Sequence, residues 1–298
     1  MSVIVPAYNA ASTLTDTLLS VRSQTFPDFE VIVVDDGSTD DTNLLAGSCA
    51  EADYRIRVVT RPNAGAGAAR NTAMKQARGQ VFALLDSDDL WMPTYLADQL
   101  ALFAERPDVD VVTVNAINLG GDRSEQPLWP AGPAGTDLTL LDIIEREDAV
   151  CIMSMFRRRV YDTIGGFAER FKGDDDRLLF KGNEDYHFWI RAARAGFRIV
   201  ANYTPGCYYR RRPGSLSADE GQMLTGIIAV LKEAQAMCDG LPAETAAIRR
   251  QIARFERELA RCELRRSLSQ RWPVALAWAL RLRQALRPGR RVSRSETA

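Results

Sequence analysis

The chain has 298 residues, 46% hydrophobic and 26% charged, with a net charge of −1. That is an ordinary globular composition, long enough for one large domain or two small ones with a real core. Whole-chain charge points to no nucleic-acid partner, and no run of about 18 apolar residues is present to span a membrane. Five cysteines (Cys49, Cys151, Cys207, Cys238, Cys262) are scattered, odd in number and without C-x-x-C spacing. They read as reduced thiols of a cytosolic protein. The chain enters a strand at once, "MSVIVPAYN", with no basic and apolar leader, so no signal peptide is expected. Charge is uneven: from Arg249 onward there are 14 arginines against 4 acids, a net of +10, and the body carries −11.

Taken in order, the first 115 residues alternate in period. Ser2–Pro6 is a short apolar strand. Ser12 is placed to cap a helix with Leu14, Leu18 and Val21 on one face. "EVIVVDD" (Glu30–Asp36) is a second strand and "GSTDDT" a turn into a helix. "IRVVT" (Ile56–Thr60) is a third strand, and "NAGAGAARNTAMKQA" a small-residue loop running into a helix. "VFALLD" is a fourth strand, Pro93 sits near the start of a helix reaching Glu105, and "VDVVTVN" (Val109–Asn115) is a fifth strand. Buried strands alternating with helices predict an α/β fold whose mainly parallel sheet is covered on both faces.

After Asn115 the pattern breaks. Gly120 to Gly135 reads as loop, Leu138–Glu147 as helix, and "CIMSMFRR" as an apolar strand. "GGF" (Gly165–Phe167) is a turn and "GDDDRLLFKG" (Gly173–Gly182) a mobile loop. "EDYHFWIRAARAG" (Glu184–Gly196) is a helix ending at a glycine C-cap. "RIVANY" and "CYYRRR" are candidate strands, and from Glu220 the chain is almost all helix. The expected organisation is 1–115, 116–219 and a basic helical extension, 220–298.

In open α/β sheets ligands bind outside the carboxyl ends of the strands. Three acidic segments fall at such places: Asp35-Asp36, the "LLDSDDLW" run with Asp86-x-Asp88, and Glu184-Asp185 at a helix start. Carboxylates gathered in one cleft need a cation or a proton. A hard divalent ion, Mg²⁺ or Mn²⁺, held by one or two carboxylates plus substrate phosphates answers that need. In an extended segment Asp86 and Asp88 would point the same way; the bland alternative is a solvated turn, where Asp is favoured anyway.

The set as a whole resembles the family 2 glycosyltransferases, enzymes of the GT-A fold that use nucleoside-diphosphate sugars. The resemblance is carried, over residues 2 to 215, by "VIVPAYN" (3–9), "VIVVDDGSTDDT" (31–42), "NAGAGAARN" (63–71), "LLDSDDLWMP" (84–93), "GGF" (165–167) and "NEDYHFWIRAARAG" (183–196). It implies metal-dependent, inverting transfer from a nucleotide-sugar, usually a UDP-sugar, to an acceptor hydroxyl, with a Rossmann-like, mainly parallel GT-A sheet. By it Asp86 meets the ribose or the metal, Asp88 binds the metal, and Asp89, on the alternate face, is structural. Asp36 accepts from the base, uracil N3–H or guanine N1–H, and Asp35 orients its loop or caps the next helix. Pro6, Tyr8 and Asn9 line the base, with Tyr8 a stacking platform or a packing residue. Arg70 contacts base or phosphate, or is a helix-surface arginine. Asp185 is the general base, with Glu184 raising its proton affinity by repulsion; alternatively both acids complement a helix N-terminus.

Trp189 either stacks on sugar or fills the core, and His187, the one histidine, either lines the acceptor cleft or, as an isolated helix histidine more often is, is structural. In one place the sequence departs from the family. Many relatives carry a histidine after the last strand, but here the segment is "YYRRRPGSLS". An arginine cannot ligate a metal but pairs well with phosphate, so Arg210 and Arg212 are expected to clamp the diphosphate. The segment 271–291, with two tryptophans and six arginines, lies on an anionic membrane face or packs on the body or another subunit. The expected partners are a nucleotide-sugar donor and a glycan or lipid-linked glycan acceptor, in a cytoplasmic protein with peripheral contact to the inner membrane face. Rival readings fare worse. A dinucleotide oxidoreductase needs G-x-G-x-x-G after the first strand, where "PAYNAAS" stands. A nucleotidyltransferase commonly has a Gly-rich basic loop there, and a non-catalytic binding module should have lost Asp88 or Asp185.

Overall fold

A computed structural model describes residues 1–169, 171–172, 178–179, 182–212 and 219–271. The first part runs β1 (Ser2–Ala7), α1 (Leu14–Arg22), β2 (Glu30–Asp35), α2 (Thr42–Ala52), β3 (Ile56–Thr60), α3 (Ala66–Gln76) and β4 (Val81–Leu84). It goes on through β5 (Leu90–Trp91), α4 (Tyr95–Glu105) and β6 (Val111–Leu119). The unbroken apolar run of β2 has a simple cause. Val31, Ile32, Val33 and Val34 are all fully buried, because helices cover both faces of the sheet. Each such side chain contributes roughly 1.5–3 kcal/mol of burial.

The second part comprises β7 (Thr136–Leu138), α5 (Leu140–Glu145), β8 (Met155–Arg157), α6 (Arg158–Ile164), β9 (Phe171–Lys172) and β10 (Leu178–Leu179). It closes with α7 (Glu184–Arg194), β11 (Ile199–Arg210), α8 (Glu220–Met237) and α9 (Pro242–Arg271). The main sheet has the order β3-β2-β1-β4-β8-β6-β11-β5, and β7 joins the far end of β11. It is mainly parallel, as expected, with β5, β7 and β8 running the other way. The four strands from β3 to β4 are parallel, but β8 runs antiparallel to both β4 and β6. Two reversals restore direction, so β6 and its parallel partner β11 run the same way as β4. The carboxyl ends of β1, β2, β4 and β11 therefore share one edge. The start of β8 meets it too, with Leu84 N–H donating to the Ser154 carbonyl at 3.1 Å.

Several boundaries differ from the sequence reading. Ser12 is exposed and caps nothing; Thr13 precedes α1, and its hydroxyl donates to the Ser87 carbonyl at 2.9 Å. "RIVANY" and "CYYRRR" form one strand, β11, whose register shifts on either side of Pro205. Of "CIMSMFRR" only Met155–Arg157 is strand. The expected 138–147 helix is shorter, and Thr139 and Asp142 form a reciprocal capping box at its start. Leu178–Leu179, from the expected 173–182 loop, pairs with β9; residues 173–177 and 180–181 lie outside the described residues.

Phe156 sits in an aromatic cluster with Phe82, Phe188 and Trp189, at centroid distances of 5.4, 5.3 and 5.8 Å. That cluster welds β4, β8 and α7 together, and it makes Trp189 a core residue, 1% exposed. The last two helices are packed on the body. Asn183, His187 and Arg194 along α7 meet Met223, Glu233 and Met237 of α8, and Gln251 of α9 donates to the Glu145 carbonyl. Among the described residues no helix is long and apolar enough to cross a membrane. The basic segment 272–291 lies outside them.

Candidate active site

The loops after β1 and β2 are stitched to each other. Asn9, in a left-handed conformation with φ 48°, accepts from Thr39 N–H through its side chain and donates its own N–H to Ser38 Oγ. Ala10 N–H donates to Thr42 Oγ1 at 2.7 Å. Pro6 is buried within β1, whereas Tyr8 is half exposed at its end. Asp35 holds its own loop, accepting from Ser38 N–H and the Asn43 amide. Asp36, almost fully buried, accepts from the N–H groups of Ala64 and Gly65, and Arg61 Nε stands 3.2 Å from its Oδ1. Arg61 was not singled out by sequence; its only signal was a place at the carboxyl end of β3.

The acidic run after β4 is not extended. Asp89 N–H donates to the Asp86 carbonyl at 3.1 Å, so the alternate-residue argument for Asp86 and Asp88 gives way to a turn. Both side chains remain partly exposed. Asp89 points inward: it is 1% exposed and its Oδ1 accepts from Arg210 N–H at 2.7 Å. Burial, with the charges of Asp88 and Asp86 beside it, raises its carboxyl well above the usual range. Asp88 is raised for the same reasons in milder form, burial first and Asp86 next, with Arg212 opposing.

Helix α3 ties this turn to the second half. Arg70, 3% exposed, donates from Nη2 to Asp86 Oδ1 and from Nη1 to Glu184 Oε1, both at 2.6 Å. Its guanidinium also lies 5.5 Å from the Phe167 ring centroid, and Phe167 stacks on Phe188 of α7. Next to it Asn71 clips the "GGF" turn, accepting from Phe167 N–H and donating to its carbonyl. Gly166 has to be glycine, since a Cβ there would lie 2.1 Å from the Asn71 amide oxygen. Gly67 likewise leaves room for the Ala168 carbonyl, 2.7 Å from where its Cβ would be, and for Glu184. The small-residue motif is thus a docking surface as well as a loop.

Asp185 opens α7 beside Glu184. Burial and the Glu184 charge push its carboxyl up to about 6, against the opposing pull of Arg70. Such a group is mostly ionised at neutral pH yet holds a proton well, which is what a general base requires. Asn183 before it is left-handed, φ 66°, and its amide donates to the Met223 carbonyl of α8 at 3.1 Å. His187 lies buried against Glu233 at 3.2 Å, and burial lowers it to about 4, so it is neutral at pH 7.

Two arginines come over the turn from the end of β11. Arg210 donates from Nε to the Asp88 carbonyl at 2.8 Å, with Asp16 3.5 Å from its Nη2. Arg212 Nε lies 3.0 Å from Asp88 Oδ2. The structure therefore brings Asp36, Arg70, Asp86, Asp88, Glu184, Asp185, Arg210 and Arg212 to one edge, with Pro6, Tyr8 and Asn9 beside Asp36. Arg70 and Arg210 face protein groups there. As a metal site the turn is spare. No group of three or more His, Cys, Asp or Glu able to hold an ion occurs among the described residues. Two carboxylates with further ligands from a diphosphate suit Mg²⁺ or Mn²⁺.

Comparison with known proteins gives a consistent family. Residues 2–165 match Glycosyl transferase family 2. Over 107 residues the chain is 45% identical to a Bacillus subtilis (strain 168) protein named as the putative teichuronic acid biosynthesis glycosyltransferase TuaG, covering 36% of this chain and 42% of that one. Over 103 residues it is 41% identical to Escherichia coli WfgD, named as a UDP-Glc:alpha-D-GlcNAc-diphosphoundecaprenol beta-1,3-glucosyltransferase, covering 34% and 40%. Among solved structures it resembles S. aureus TarS 1-349 in complex with UDP-GlcNAc, with a TM-score of 0.65, 26% identity, and 85% of this chain and 70% of that one covered. The match thus spans less than half the length of these two curated relatives.

Proposed function

This chain belongs to glycosyl transferase family 2, with the GT-A fold, and on that premise we propose that it is an inverting transferase. In this reading it moves a sugar from a nucleoside-diphosphate sugar, a UDP-sugar, to an acceptor hydroxyl, with Mn²⁺ or Mg²⁺ at Asp86 and Asp88. Residues 1–115 form the donor half, 116–219 the acceptor half, and 220–298 a helical extension. The observation that supports it most is that Arg70 bridges the two halves, binding Asp86 of one and Glu184 of the other at 2.6 Å each.

Asp36 takes the base N–H, in a pocket bounded by Pro6, Tyr8 and Asn9, and Tyr8 stacks on the base. A divalent ion bound at the turn would stabilise negative charge on the departing diphosphate. Arg212 pairs with the diphosphate oxygens, and Arg210 holds the turn beneath them. Asp185 accepts the proton of the attacking hydroxyl on the face opposite the leaving group, and Glu184 and Arg70 set its proton affinity between them. The naming of WfgD, with an undecaprenyl-diphosphate acceptor, and of TuaG, in a cell-surface polymer pathway, supports a lipid-linked or surface-glycan acceptor here. Contact with a membrane surface belongs to the same proposal.

The test is donor turnover. The full chain is incubated with UDP-glucose, UDP-GlcNAc and GDP-mannose and Mn²⁺, with and without an undecaprenyl-diphosphate-GlcNAc acceptor, and release of the nucleoside diphosphate is followed. Release from one donor, stimulated by acceptor and reduced about 10²- to 10⁴-fold in Asp185→Asn, is expected. Release that survives Asp185→Asn would remove the base assignment, and no release from any donor would remove the transferase reading.

A further inference from the structure

The two partly exposed carboxylates of the acidic turn, Asp86 and Asp88, are each already paired with a cation. Arg70 holds Asp86 at 2.6 Å and Arg212 holds Asp88 at 3.0 Å. The two arginines differ in freedom. Arg70 is buried and shared with Glu184, so moving it would strand two carboxylates. The Arg212 side chain is 33% exposed, lies just beyond the last residue of β11, and has Asp88 as its one ion-pair partner among the described residues. The backbone before it is fixed independently, since Arg210 N–H is held by Asp89 and Arg211 N–H by the Leu119 carbonyl. A swing of Arg212 therefore needs no movement of the strand.

We propose that Arg212 is the resident counter-cation of the metal site. In the free protein it neutralises Asp88 and keeps a lone divalent ion out; the diphosphate of the donor draws it away, so that metal and nucleotide enter together. This rests on the donor site proposed above. The driving chemistry is an exchange of partners. A guanidinium leaves a single carboxylate for a diphosphate, which offers more charge and more acceptor oxygens. Asp88 is released at the same moment, and a dication replaces a monocation beside Asp86. A metal-ligating residue at this place would add to metal affinity; a displaceable arginine makes that affinity conditional on the nucleotide.

The test is Mn²⁺ binding, followed through the electron paramagnetic resonance signal of the free ion. The full chain, Arg212→Gln and the double variant Arg212→Gln/Asp88→Asn are each titrated without nucleotide. The expected result is that Arg212→Gln binds Mn²⁺ about tenfold or more tighter than the parent, within the roughly 5- to 150-fold span of ordinary site coupling. Asp88→Asn should cancel that gain. UDP should strengthen Mn²⁺ binding in the parent, and much less in Arg212→Gln. An unchanged or weaker affinity in Arg212→Gln, a gain that survives Asp88→Asn, or no Mn²⁺ binding in any protein would overturn the inference. The nucleotide-free comparison needs neither UDP nor turnover, so failure of the UDP-sugar reading would show separately, as absence of any UDP effect in the parent.

Discussion

Asp185 carries a conflict that can be measured. Its carboxyl is raised from 3.8 to about 6, first by burial and then by Glu184. Turnover should therefore show an acid limb centred near pH 6, and Glu184→Gln should move that limb downward, since it removes the repulsion. A pH–rate profile of both proteins checks this. Stability runs the other way. Because the folded state holds this proton more tightly, the contribution of Asp185 is fully present below about pH 3.8 and is lost as pH rises through 6. Asp185→Asn should thus melt above the parent at pH 7.5, with the gap closing toward pH 4 in a melting series. Arg70 is the opposite case. It neutralises Asp86 and Glu184 from a buried position, so Arg70→Met should destabilise by about 3–5 kcal/mol in denaturant titrations, as expected when one member of a buried ion set is removed. The carboxylates of this site were legible in the sequence, because the chemistry demands acids at strand ends. Arg70 was legible as a site residue, to contact base or phosphate or to lie on the helix surface, but its protein partners were not: they are 16 and 114 residues away, a separation at which local pattern carries no information.

Among the elements, α7 is the one on which most depends. Its apolar face enters the aromatic cluster around Phe156, and Phe156→Ala should cost about 3–5 kcal/mol by calorimetry. Its first turn is set by Asn183, whose amide reaches α8 through a gap left by Gly226; a Cβ there would stand 2.4 Å from the Asn183 nitrogen. Gly226→Val should push Asn183 off α8, slowing donor turnover while leaving UDP affinity within about threefold, because Asn183 shares no hydrogen-bond partner with Asp36. Strands β1 to β4 and their helices were readable because each is a short local pattern. β11 was read as two strands because Pro205 interrupts it, and the sheet tolerates the interruption through register shifts. The acidic turn was read as extended because spacing alone cannot distinguish a turn from a strand end.

At the scale of the whole molecule, one antiparallel strand decides which side chains share the edge. By running against both β4 and β6, β8 lets the second half of the sheet point the same way as the first, and it brings the β11 arginines to the Asp86–Asp89 turn. Nothing local announced that geometry; it follows from pairing between segments some 70 residues apart. The fold class was legible from the alternation of the first 115 residues, whereas the antiparallel insertion of β8 and the packing of α8 against α7 were not. The claim on which the rest stands is that this edge binds a nucleoside diphosphate through a metal at Asp86 and Asp88. The most direct measurement is thermal melting of the full chain and of Asp88→Ala with UDP, GDP or NAD, each with Mn²⁺ or EDTA. A melting rise with one nucleoside diphosphate, present only with Mn²⁺ and absent in Asp88→Ala, is the predicted result, since a ligand that binds the native state alone stabilises it. A rise with NAD alone, or a diphosphate rise indifferent to EDTA and to Asp88, would contradict it.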